Sequence, residues 1–561
     1  MSTSSMPWLK SYPADIPGSP DLSGMPVHRM LENSAKRWPQ RSAIAFMGRS
    51  ISYQDLNDLV SRAASGFQSM GVRPGVHVGL YLPNTPHGII AFFGVLRAGG
   101  VVVNYSPLDA PQTLEHKIGD SDTDMVVTLG LNALLPQMID LLETTRLKRL
   151  VVGSVEEMSG SPESVKNALD QAGETATWQE SDGRISSFAQ LLDNNGGYHA
   201  YPDAEDFETL AVLQYTGGTT GAPKGAILTH GSIADAADQY GAALSSTIIP
   251  GEERLLAVLP PFHIYSIVVN MLLGLRNGAT LYQMMRFDPK EALELIQTEE
   301  ITVFPAVPTM LSALLTYPEL EQYRLSSLKL CNSGGAPLPV ELQQRFLDLA
   351  GCPVKEGWGM TETCSVGTIT PKGVTPPPGS CGLPVPGVDL QILSLDDEET
   401  LLGTGERGEL CIKGSNMMRG YWKRDDATDD SMTSSGFFRT GDIAYMDEDG
   451  FIYIVDRTKD MIICSGYNVY PRNIEEAIHE HPAIEEVSVI GIPDDYRGQS
   501  PKAFITIRHE HNAPSLEELQ AFLKSRLGKH EMIRDMEVRD ELPKTPVGKL
   551  SKKALYDEVA S

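Results

Sequence analysis

The sequence predicts an α/β protein: a large N-terminal part with two α/β subdomains and a β-rich subdomain, followed by a small α+β domain. Its 561 residues are too many for one hydrophobic core. Apolar residues make up 41% and charged residues 21%, a balance typical of globular proteins. Apolar runs with strand character alternate with amphipathic helical runs as far as residue 350, as expected of layered strands and helices.

The elements of the first subdomain follow from hydrophobic periodicity. The apolar run over 88–96 is too short to cross a bilayer, which takes about 20 residues, so we expect a buried core helix. Residues 151–208 are polar and irregular and predict a surface excursion. The other predicted elements are strands over 42–46, 76–82 and 100–104 and a helix over 53–69.

A second α/β subdomain is expected over residues 209–350. Each of its predicted helices has a proline at or near its first turn, where the missing N–H has no intrahelical partner to lose. The predicted strands are 255–259, 280–283, 301–303 and 328–332, and the predicted helices are 289–298, 308–315 and 339–349.

The composition changes at Pro371, where turn-rich segments and short strands indicate the β-rich subdomain. Its predicted strands are 389–393, 408–413 and 450–455, with a hairpin turn at 447–450. A tail of about 100 residues is long enough for a domain of its own. In the tail we expect strands over 461–464, 484–491 and 502–507 and helices over 471–480 and 515–527.

Acidic residues outnumber basic ones by 73 to 46, for a net charge of -27. This field repels nucleic acid and anionic membranes, so a phosphate-bearing ligand must be held by a local cluster of donors. The six cysteines include no C-x-x-C pair and predict neither a disulfide framework nor a zinc site. With no transmembrane run and no apolar signal core at the N-terminus, we expect a cytoplasmic protein.

The most informative segment is the loop Tyr215–Gly225, which reads Tyr-Thr-Gly-Gly-Thr-Thr-Gly-Ala-Pro-Lys-Gly. Its glycines allow backbone N–H groups to face an oxyanion, its threonine hydroxyls add donors, and Lys224 adds a positive charge. It is not a Walker A loop, because Gly225 stands where that motif needs Ser or Thr. A flexible surface turn is the alternative, but the density of donors favours a polyphosphate site.

This loop resembles the phosphate-binding signature of the adenylate-forming superfamily, which includes acyl-CoA synthetases, peptide-synthetase adenylation domains and luciferases. Further motifs agree in the family's order and cover the chain from Trp38 to Lys553. They are Gly334-Gly335-Ala336, Glu356-Gly357-Trp358-Gly359-Met360-Thr361-Glu362, Arg439-Thr440-Gly441-Asp442, Asp456-Arg457-Thr458-Lys459-Asp460, Ser465–Pro471 and Pro543–Lys549.

The resemblance implies an enzyme that uses ATP, Mg²⁺ and CoA to activate a carboxylic acid. The acid would attack the α-phosphate of ATP and release pyrophosphate, and the thiol of CoA would then take the acyl group and release AMP. Since an anionic nucleophile approaches a polyanion, we expect catalysis mainly by positioning and by cationic stabilisation.

The resemblance also implies a role for each motif residue. Lys549 would bridge the α-phosphate and the substrate carboxylate, Thr361 would touch the α-phosphate, and Glu362 would hold Mg²⁺. Taken singly, each residue has a structural alternative, such as a core aromatic or a helix cap. The other implied ATP contacts are Thr216, Gly217, Gly218, Thr219, Thr220 and Lys224 for the phosphates, Gly335, Ala336, Pro337 and Trp358 for adenine, and Asp442 and Arg457 for ribose.

The second half-reaction needs room that Lys549 would otherwise fill. The family makes this room by rotating its small C-terminal domain, here about a hinge at Lys459. Gly466 would then face the pantetheine tunnel, where a glycine permits close backbone approach. The implied divisions are an AMP-binding domain over 1–456, a hinge over 457–460 and a mobile lid domain over 461–561.

The segment Pro260–Tyr265 bears on the acid that is activated. In amino-acid-activating relatives an aspartate just after the phenylalanine pairs with the substrate ammonium, whereas here that position is His263. The resemblance therefore argues against an amino acid and implies that His263 lies between the acyl and nucleotide pockets, with a satisfied core histidine as the alternative. The candidate pocket walls, uncharged and suited to an aliphatic or aryl chain, are Ile264, Ser266, Val269, Asn270, Val303, Phe304, Ala306, Val307 and Gly357.

Three segments, Pro7–Pro13, Gln214–Gly218 and Gly466–Pro471, look most like bacterial medium- to long-chain fatty acyl-CoA synthetases. A medium- or long-chain fatty acid is therefore expected. Aryl and dicarboxylic acids stay open, because coumarate-type ligases share the Phe-His-Ile-Tyr segment. The sequence departs from the family at Gly528–Met532, where a Tyr-Lys-x-Pro step is common, and no CoA-phosphate contact is assigned there.

Two rival functions remain. A fatty-acyl-AMP ligase that loads a carrier protein is disfavoured, because the hinge, the tyrosine loop and Lys549 fit a CoA ligase. A nucleotide-binding pseudoenzyme predicts the loss of a key charge, yet Lys224, Glu362, Asp442 and Lys549 are all present. The expected partners are thus small molecules, and peripheral membrane contact and the oligomeric state stay open.

Overall fold

A computed structural model of the chain describes residues 6–178, 183–216, 223–464, 467–494, 497–509, 511–545 and 549–560. Two large sheets layered with helices, a small antiparallel sheet and a C-terminal sheet make up the fold. Among the described residues no helix is both long and apolar enough to cross a membrane.

The chain opens with helix α1 (Val27–Arg37), the antiparallel strands β1 (Ser42–Phe46) and β2 (Arg49–Ser52), and helix α2 (Tyr53–Ser69). The side chain of Ser52 caps α2 by accepting a hydrogen bond from the Asp55 N–H at 3.0 Å. The predicted helix 53–69 is confirmed.

The first large sheet has seven strands. They are β3 (His77–Leu80), β4 (Val101–Asn104), β5 (Thr123–Leu129), β6 (Arg149–Gly153), β7 (Ile185–Ser187), β8 (Leu210–Thr216) and β9 (Lys224–Thr229), in the spatial order β7-β6-β5-β3-β4-β8-β9. All neighbours are parallel except β8 and β9, which form an antiparallel hairpin at one edge.

Helices connect and cover these strands: α3 (Pro86–Arg97), α4 (Pro111–Asp120), α5 (Leu135–Thr144), α6 (Pro162–Gln171), α7 (Phe188–Leu192) and α8 (His230–Ala243). The predicted buried helix corresponds to α3, in which eleven residues are buried. The expected surface excursion over 151–208 is wrong in part, because β7 extends the sheet beside β6 and Phe188 and Leu191 of α7 pack into the core.

The second large sheet has nine strands and includes β1 and β2 at one end. The others are β10 (Arg254–Ala257), β11 (Thr280–Gln283), β12 (Val303–Ala306), β13 (Leu330–Ser333), β14 (Val354–Trp358), β15 (Thr368–Ile369) and β16 (Leu383–Pro384). The spatial order is β16-β15-β14-β13-β12-β10-β11-β1-β2. The inner strands are parallel, as expected of α/β units.

The helices of this part are α9 (Leu273–Arg276), α10 (Pro289–Thr298), α11 (Pro308–Leu315) and α12 (Val340–Ala350). The segment Ser266–Leu272, which leads directly into α9, is π-helical. The predicted bounds of α10 and α11 are confirmed, since each begins at its proline. A seven-residue π-helix is unusual, and π-helical turns are frequent at functional sites.

The β-rich subdomain is a four-stranded antiparallel sheet of β17 (Asp389–Leu393), β18 (Gly408–Lys413), β19 (Phe438–Met446) and β20 (Ile452–Arg457), with the short helix α13 (Asp425–Asp430) beside it. The register between β19 and β20 shifts after Ile443. A bulge there re-aims the neighbouring side chains, as bulges beside functional sites do.

The C-terminal domain is an α+β unit with its own core. Its strands are β21 (Ile462–Cys464), β22 (Tyr467–Val469), β23 (Ile484–Asp494), β24 (Gly498–Ile507) and β25 (Asp535–Val538), and its helices are α14 (Pro471–His479), α15 (Leu516–Leu523) and α16 (Lys552–Ala560). Strand β25 and helix α16 were absent from the expectation, since neither has a strong apolar run.

Ion pairs hold the C-terminal domain over the N-terminal part. Arg508 forms a bidentate ion pair with Glu341 of α12, with its two terminal guanidinium nitrogens 3.2 and 2.9 Å from the carboxylate oxygens. On β20, Asp456 accepts a hydrogen bond from the Arg472 N–H at 2.9 Å and lies 4.0 Å from Lys552 Nζ. A wide cleft runs between the two parts.

Candidate active site

The cleft between the N-terminal part and the C-terminal domain is lined by every candidate catalytic and cofactor-binding residue that the structure describes. Those residues come from segments hundreds of positions apart in the chain. They are Thr216, Lys224, His263, Gly335, Ala336, Pro337, Trp358, Thr361, Glu362, Asp442, Arg457, Lys459 and Lys549.

Two of the phosphate-loop candidates, Thr216 and Lys224, lie at the paired ends of strands β8 and β9. Thr216 ends β8, Lys224 begins β9, and the two residues are paired in register, with Thr216 Oγ1 donating to the Lys224 carbonyl at 3.4 Å. The candidates Gly217, Gly218, Thr219 and Thr220 lie outside the described residues. The hairpin therefore brings the two ends of the loop together on the cleft wall.

Lys224, Tyr421 and Glu362 form a chain of contacts. The Lys224 ammonium lies 4.0 Å from the centre of the Tyr421 ring, and the Tyr421 hydroxyl donates to Glu362 Oε1 at 2.7 Å. Glu362 is buried in a short helical turn beside Thr361, and burial raises the pKa of its carboxyl group. Tyr421 thus links the cation of the phosphate loop to a buried acid.

The carboxylate of Asp442 is held from two sides. Trp358 Nε1, at the end of β14, donates to Oδ2 at 2.8 Å, and Arg457 Nε lies 3.0 Å from Oδ1. Asp442 and Arg457 are paired across β19 and β20, one residue before the bulge. Because a carboxylate has about four lone-pair positions, Asp442 can accept further hydrogen bonds from a ligand.

Lys549 reaches the opposite wall of the cleft. A Cβ atom at Gly335 would lie 3.0 Å from Lys549 Cε, and Gly335 has a φ of 81°, so a larger residue there would be strained and would press on the lysine. Burial, reinforced by the charge of Arg457, lowers the pKa of Lys549 to about 8. The C-terminal domain therefore places an ammonium group with a lowered pKa against the N-terminal part.

His263 lies near this lysine. Burial and then the charge of Lys549 lower the pKa of His263 to about 3, so the imidazole is neutral at physiological pH. Its Nδ1 accepts a hydrogen bond from the Tyr265 N–H at 3.2 Å. Gln214 Nε2 donates to the Phe262 carbonyl at 3.0 Å and so ties this segment to β8.

The candidate pocket walls do not form one pocket. Gly357 lines the cleft, and six others, Ile264, Val269, Val303, Phe304, Ala306 and Val307, pack in the hydrophobic cores. The Tyr265 ring fills the space beside Gly334, and its hydroxyl accepts from Asn332 Nδ2 at 2.6 Å. Ser266 and Asn270 face a different, apolar space between the two large sheets.

We call that space the inter-sheet chamber; Leu80, Ile89, Phe92, Ala257, Asn270 and Gln283 are among its walls. Asn104 and Phe262 line both the chamber and the cleft, so the two spaces adjoin.

The remaining candidates concern the C-terminal domain. Lys459 is exposed in the turn that follows β20 and faces the cleft. Gly466 lies outside the described residues. The segment Gly528–Met532 places the His530 ring 5.2 Å from that of Tyr467.

Two further residues line this site that were not among the candidates predicted from the sequence, Tyr421 and Glu356. Tyr421 follows Gly420 and precedes Trp422, and a Gly-Tyr-Trp triplet just upstream of an acidic helix was a usable signal. Glu356 opens a motif that was quoted only for its later residues. Burial raises its pKa to about 7, and its Oε1 accepts a hydrogen bond from the Leu338 N–H at 3.4 Å.

The donor set fits a hard cation only together with a ligand. Glu362 supplies a buried carboxylate, and the described residues contain no group of three or more His, Cys, Asp or Glu that could hold an ion alone. Mg²⁺ is usually held by one or two carboxylates plus substrate phosphates. A single acid beside a phosphate loop matches that pattern.

Comparisons with known proteins identify the family and the fold. A family model described as AMP-binding enzyme matches residues 31–422, and one described as AMP-binding enzyme C-terminal domain matches residues 473–549. A long-chain-fatty-acid–CoA ligase of Bacillus subtilis is 38% identical over 556 residues, covering 99% of this chain and 98% of that protein. One of Escherichia coli is 36% identical over 565 residues and covers 98% of both chains.

A solved anthranilate CoA ligase in complex with anthranoyl-AMP superposes with a TM-score of 0.84 at 24% identity, covering 95% of this chain and 97% of that one. It confirms the predicted α/β fold with a large N-terminal and a small C-terminal domain. The family matches and curated relatives confirm the predicted enzyme class, an AMP-forming acid–thiol ligase. The chain belongs to the family of AMP-binding enzymes.

Proposed function

We propose that this enzyme activates a long-chain fatty acid with ATP and transfers the acyl group to CoA. The observation that carries the proposal is the convergence of the loop ends Thr216 and Lys224 and the distant Lys549 on one cleft. The Bacillus subtilis and Escherichia coli relatives are long-chain-fatty-acid–CoA ligases, and this chain is similar to them over nearly their full length. The space beside the cleft has no charged residue among its described walls, which suits an alkyl group better than a charged one.

In the first half-reaction the carboxylate attacks the α-phosphate and pyrophosphate leaves. Lys224 and Thr216, with Gly217, Gly218, Thr219 and Thr220 between them, are proposed to hold the β- and γ-phosphates. Thr361 is proposed to contact the α-phosphate. Lys549 is proposed to bridge that phosphate and the substrate carboxylate, because its ammonium offers charge where two anions meet.

Glu362 is the proposed ligand for Mg²⁺, with Tyr421 holding the carboxylate in place through its hydroxyl. The ion, when bound, neutralises charge on the triphosphate. The buried carboxyl group of Glu362 has a raised pKa, and a nearby cation favours its ionised form.

The adenosine half of ATP is proposed to lie between Trp358 and the segment Gly335–Pro337. Asp442 accepts hydrogen bonds from the ribose hydroxyls, since contacts with Trp358 and Arg457 already fix the orientation of its carboxylate. His263 stays neutral and shapes the junction between the nucleotide and the acyl chain. A charged imidazole there would repel Lys549.

In the second half-reaction CoA must reach the adenylate where Lys549 now lies. We propose that the domain of residues 461–561 turns about the hinge 457–460 through a change in the backbone φ and ψ angles of Lys459. Gly466 would then face the pantetheine arm. The ion pair between Arg508 and Glu341 would have to open in this turn. The domain of residues 1–456 would keep ATP and the acid.

We assign the reaction to the cytoplasm. The six cysteines are free thiols, and all six are buried, which suits a reducing compartment.

A substrate panel tests the proposal. Pyrophosphate release is measured with fatty acids of increasing length, with an aryl acid and with a dicarboxylic acid, and thiol-dependent AMP release is then compared for CoA and an acyl carrier protein. The expected result is highest kcat/KM for a long-chain fatty acid, with AMP release driven by CoA. Preference for the aryl or dicarboxylic acid, or for the carrier protein, would replace the proposed substrate or acceptor.

A further inference from the structure

The inter-sheet chamber combines apolar walls with buried polar atoms that have no hydrogen-bond partner among the residues the structure describes. Leu80, Ile89, Phe92 and Ala257 supply much of the apolar surface. Yet the Asn270 side chain is 2% exposed, and neither its Oδ1 nor its Nδ2 has a hydrogen-bond partner in the described part of the chain. Buried amides are nearly always hydrogen-bonded, so this one requires an explanation.

Two more polar atoms on the same walls lack partners among the described residues. They are Gln283 Oε1 and Thr85 Oγ1, and both side chains are more than nine-tenths buried. Other polar groups of the chamber are satisfied. Ser266 Oγ donates to the Leu259 carbonyl at 2.9 Å, and Asn84 Nδ2 donates to the Met284 carbonyl at 3.1 Å. Only some of the polar side chains that line the chamber therefore have atoms without a partner among the described residues.

The position of Asn270 is also unusual. It lies in the π-helical segment Ser266–Leu272, which begins three residues after His263. A π-helix widens the turn and shifts the direction of its side chains relative to an α-helix. Asn270 is thereby one of the residues of this segment that line the chamber.

The chemistry of the walls defines what could enter. An amide offers both a donor and an acceptor, the Gln283 oxygen accepts, and the Thr85 hydroxyl does either. A ligand hydroxyl, with one donor and two acceptor positions, complements that set. A carboxylate does not, because no charged side chain is among the described residues that line the chamber and a buried unpaired charge is costly.

We propose that the inter-sheet chamber binds a hydroxyl group carried on the alkyl chain of the acid, so that this ligase prefers hydroxylated fatty acids with the hydroxyl at a defined distance from the carboxyl group. The inference rests on the proposed fatty-acid function. Asn104 and Phe262 line both the cleft and the chamber. The chamber has a volume of about 40 Å³, so it would take the hydroxyl group and its nearest carbons while the rest of the chain stays outside it. An unsubstituted chain in the same place leaves the amide of Asn270 without a partner.

The test compares hexadecanoic acid with a series of hydroxyhexadecanoic acids that differ only in the position of the hydroxyl group. The readout is kcat/KM for CoA-dependent AMP release by the full-length enzyme, expressed as the ratio of each hydroxy acid to the plain acid. We expect one position, or two adjacent ones, to exceed a ratio of about ten, which corresponds to about 1.4 kcal/mol. Equal ratios along the series would overturn the proposal and leave a chamber filled by water.

Substitution of the amide identifies the contact. Asn270→Leu, close in size and apolar, should bring the favoured ratio to about one. Met271→Leu, an apolar wall of the same chamber, is the matched control and should leave the ratio unchanged. A favoured ratio that survives in Asn270→Leu would overturn the assignment of the chamber.

Two safeguards keep the outcomes distinct. The position series uses the unaltered enzyme, so a misfolded Asn270→Leu protein does not affect it, and Gln283→Leu is a second variant with the same expected loss. If no fatty acid in the series supports AMP release while another acid does, the proposed fatty-acid function fails, and this inference fails with it.

Discussion

The proposed nucleotide site and the proposed acyl site of this enzyme are built in opposite ways. On the nucleotide side charged groups are already paired: Asp442 with Trp358 and Arg457, and Glu362 with Tyr421. On the acyl side the described residues that line the chamber carry no charge, and none of the described residues forms a hydrogen bond with the side chain of Asn270. Where the cosubstrate is always the same, the protein can fix the orientation of the binding side chains before the ligand arrives. Where the site distinguishes substrates, polar groups are left to form their hydrogen bonds with the ligand itself.

The largest expected effect separates the two half-reactions. Lys549→Ala should reduce adenylate formation by about 10²–10³-fold, because it removes a charge aimed at the reacting phosphate. Thioester synthesis from preformed acyl-AMP should survive, since the proposed rotation withdraws Lys549 before that step. Stopped-flow pyrophosphate release measures the first step, and acyl-CoA formation from synthetic adenylate measures the second.

The control for this experiment is Lys524→Ala, which removes an exposed lysine of the same domain and should leave both rates unchanged. Equal loss of both half-reactions in Lys549→Ala would contradict the proposed division of labour.

The pH dependence tests the charge of the same lysine. Its pKa is lowered from 10.5 to about 8, so the ammonium is protonated below pH 8 and is lost as the pH rises through that value. For adenylation, kcat/KM should therefore fall about tenfold per pH unit above 8, since kcat/KM reports the free enzyme. The kcat profile should turn down at higher pH, because bound phosphates favour the charged form.

Initial rates of pyrophosphate release between pH 6 and 10 give this profile. Thioester formation from preformed acyl-AMP serves as the comparison and should not fall over the same range. An adenylation profile that stays flat to pH 10 would argue against a lysine with a lowered pKa in this step.

How far the sequence could predict the molecule depended on whether a feature is local. Helices α2, α10 and α11 were predicted to the residue, because Ser52 and two prolines mark their beginnings within the chain itself. The candidate nucleotide residues could be named from the sequence because contiguous motifs contain them, and their roles stay predictions. The antiparallel pairing that joins Thr216 to Lys224 was not among the expectations, because apolar runs on both sides of a loop do not fix which strands pair.

Features assembled from distant segments could not be predicted. The inter-sheet chamber takes walls from β3, α3, β10, β11 and the π-helical segment, and no local pattern records that assembly. For the same reason six of the nine candidate pocket residues proved to be core residues. Their small, apolar character is equally suitable for packing and for lining a pocket, so composition alone did not separate the two.

A smaller effect is expected from the contact that links Lys224 to Glu362. Tyr421→Phe removes the hydroxyl that donates to Glu362 Oε1, and a hydrogen bond to a charged group contributes about 1.5–3 kcal/mol. We expect the Mg²⁺ concentration for half-maximal adenylation to rise about tenfold, with the KM for the acid unchanged. A magnesium titration at saturating ATP measures this shift.

Tyr453→Phe is the matched control, because it removes a hydroxyl that bonds Asp447 at 3.1 Å in the β19–β20 hairpin. A Tyr421→Phe enzyme with an unchanged magnesium requirement would show that the hydroxyl only fills space.

The smallest effect should come from the ion pair between the domains. Arg508 and Glu341 are both partly exposed, so their pairing is screened by solvent and contributes little. Arg508→Ala should slow adenylation by about twofold to threefold and leave thioester formation unchanged or slightly faster, because the pair holds only the orientation seen here. Glu341→Gln should act alike, and the double variant should add nothing, as expected of two residues that act through one contact.

Arg526→Ala, which breaks a pair with Glu480 inside the C-terminal domain, should leave the ratio of the two rates as it was. If Arg508→Ala slowed both half-reactions equally, the pair would stabilise the fold rather than select the orientation of the domain.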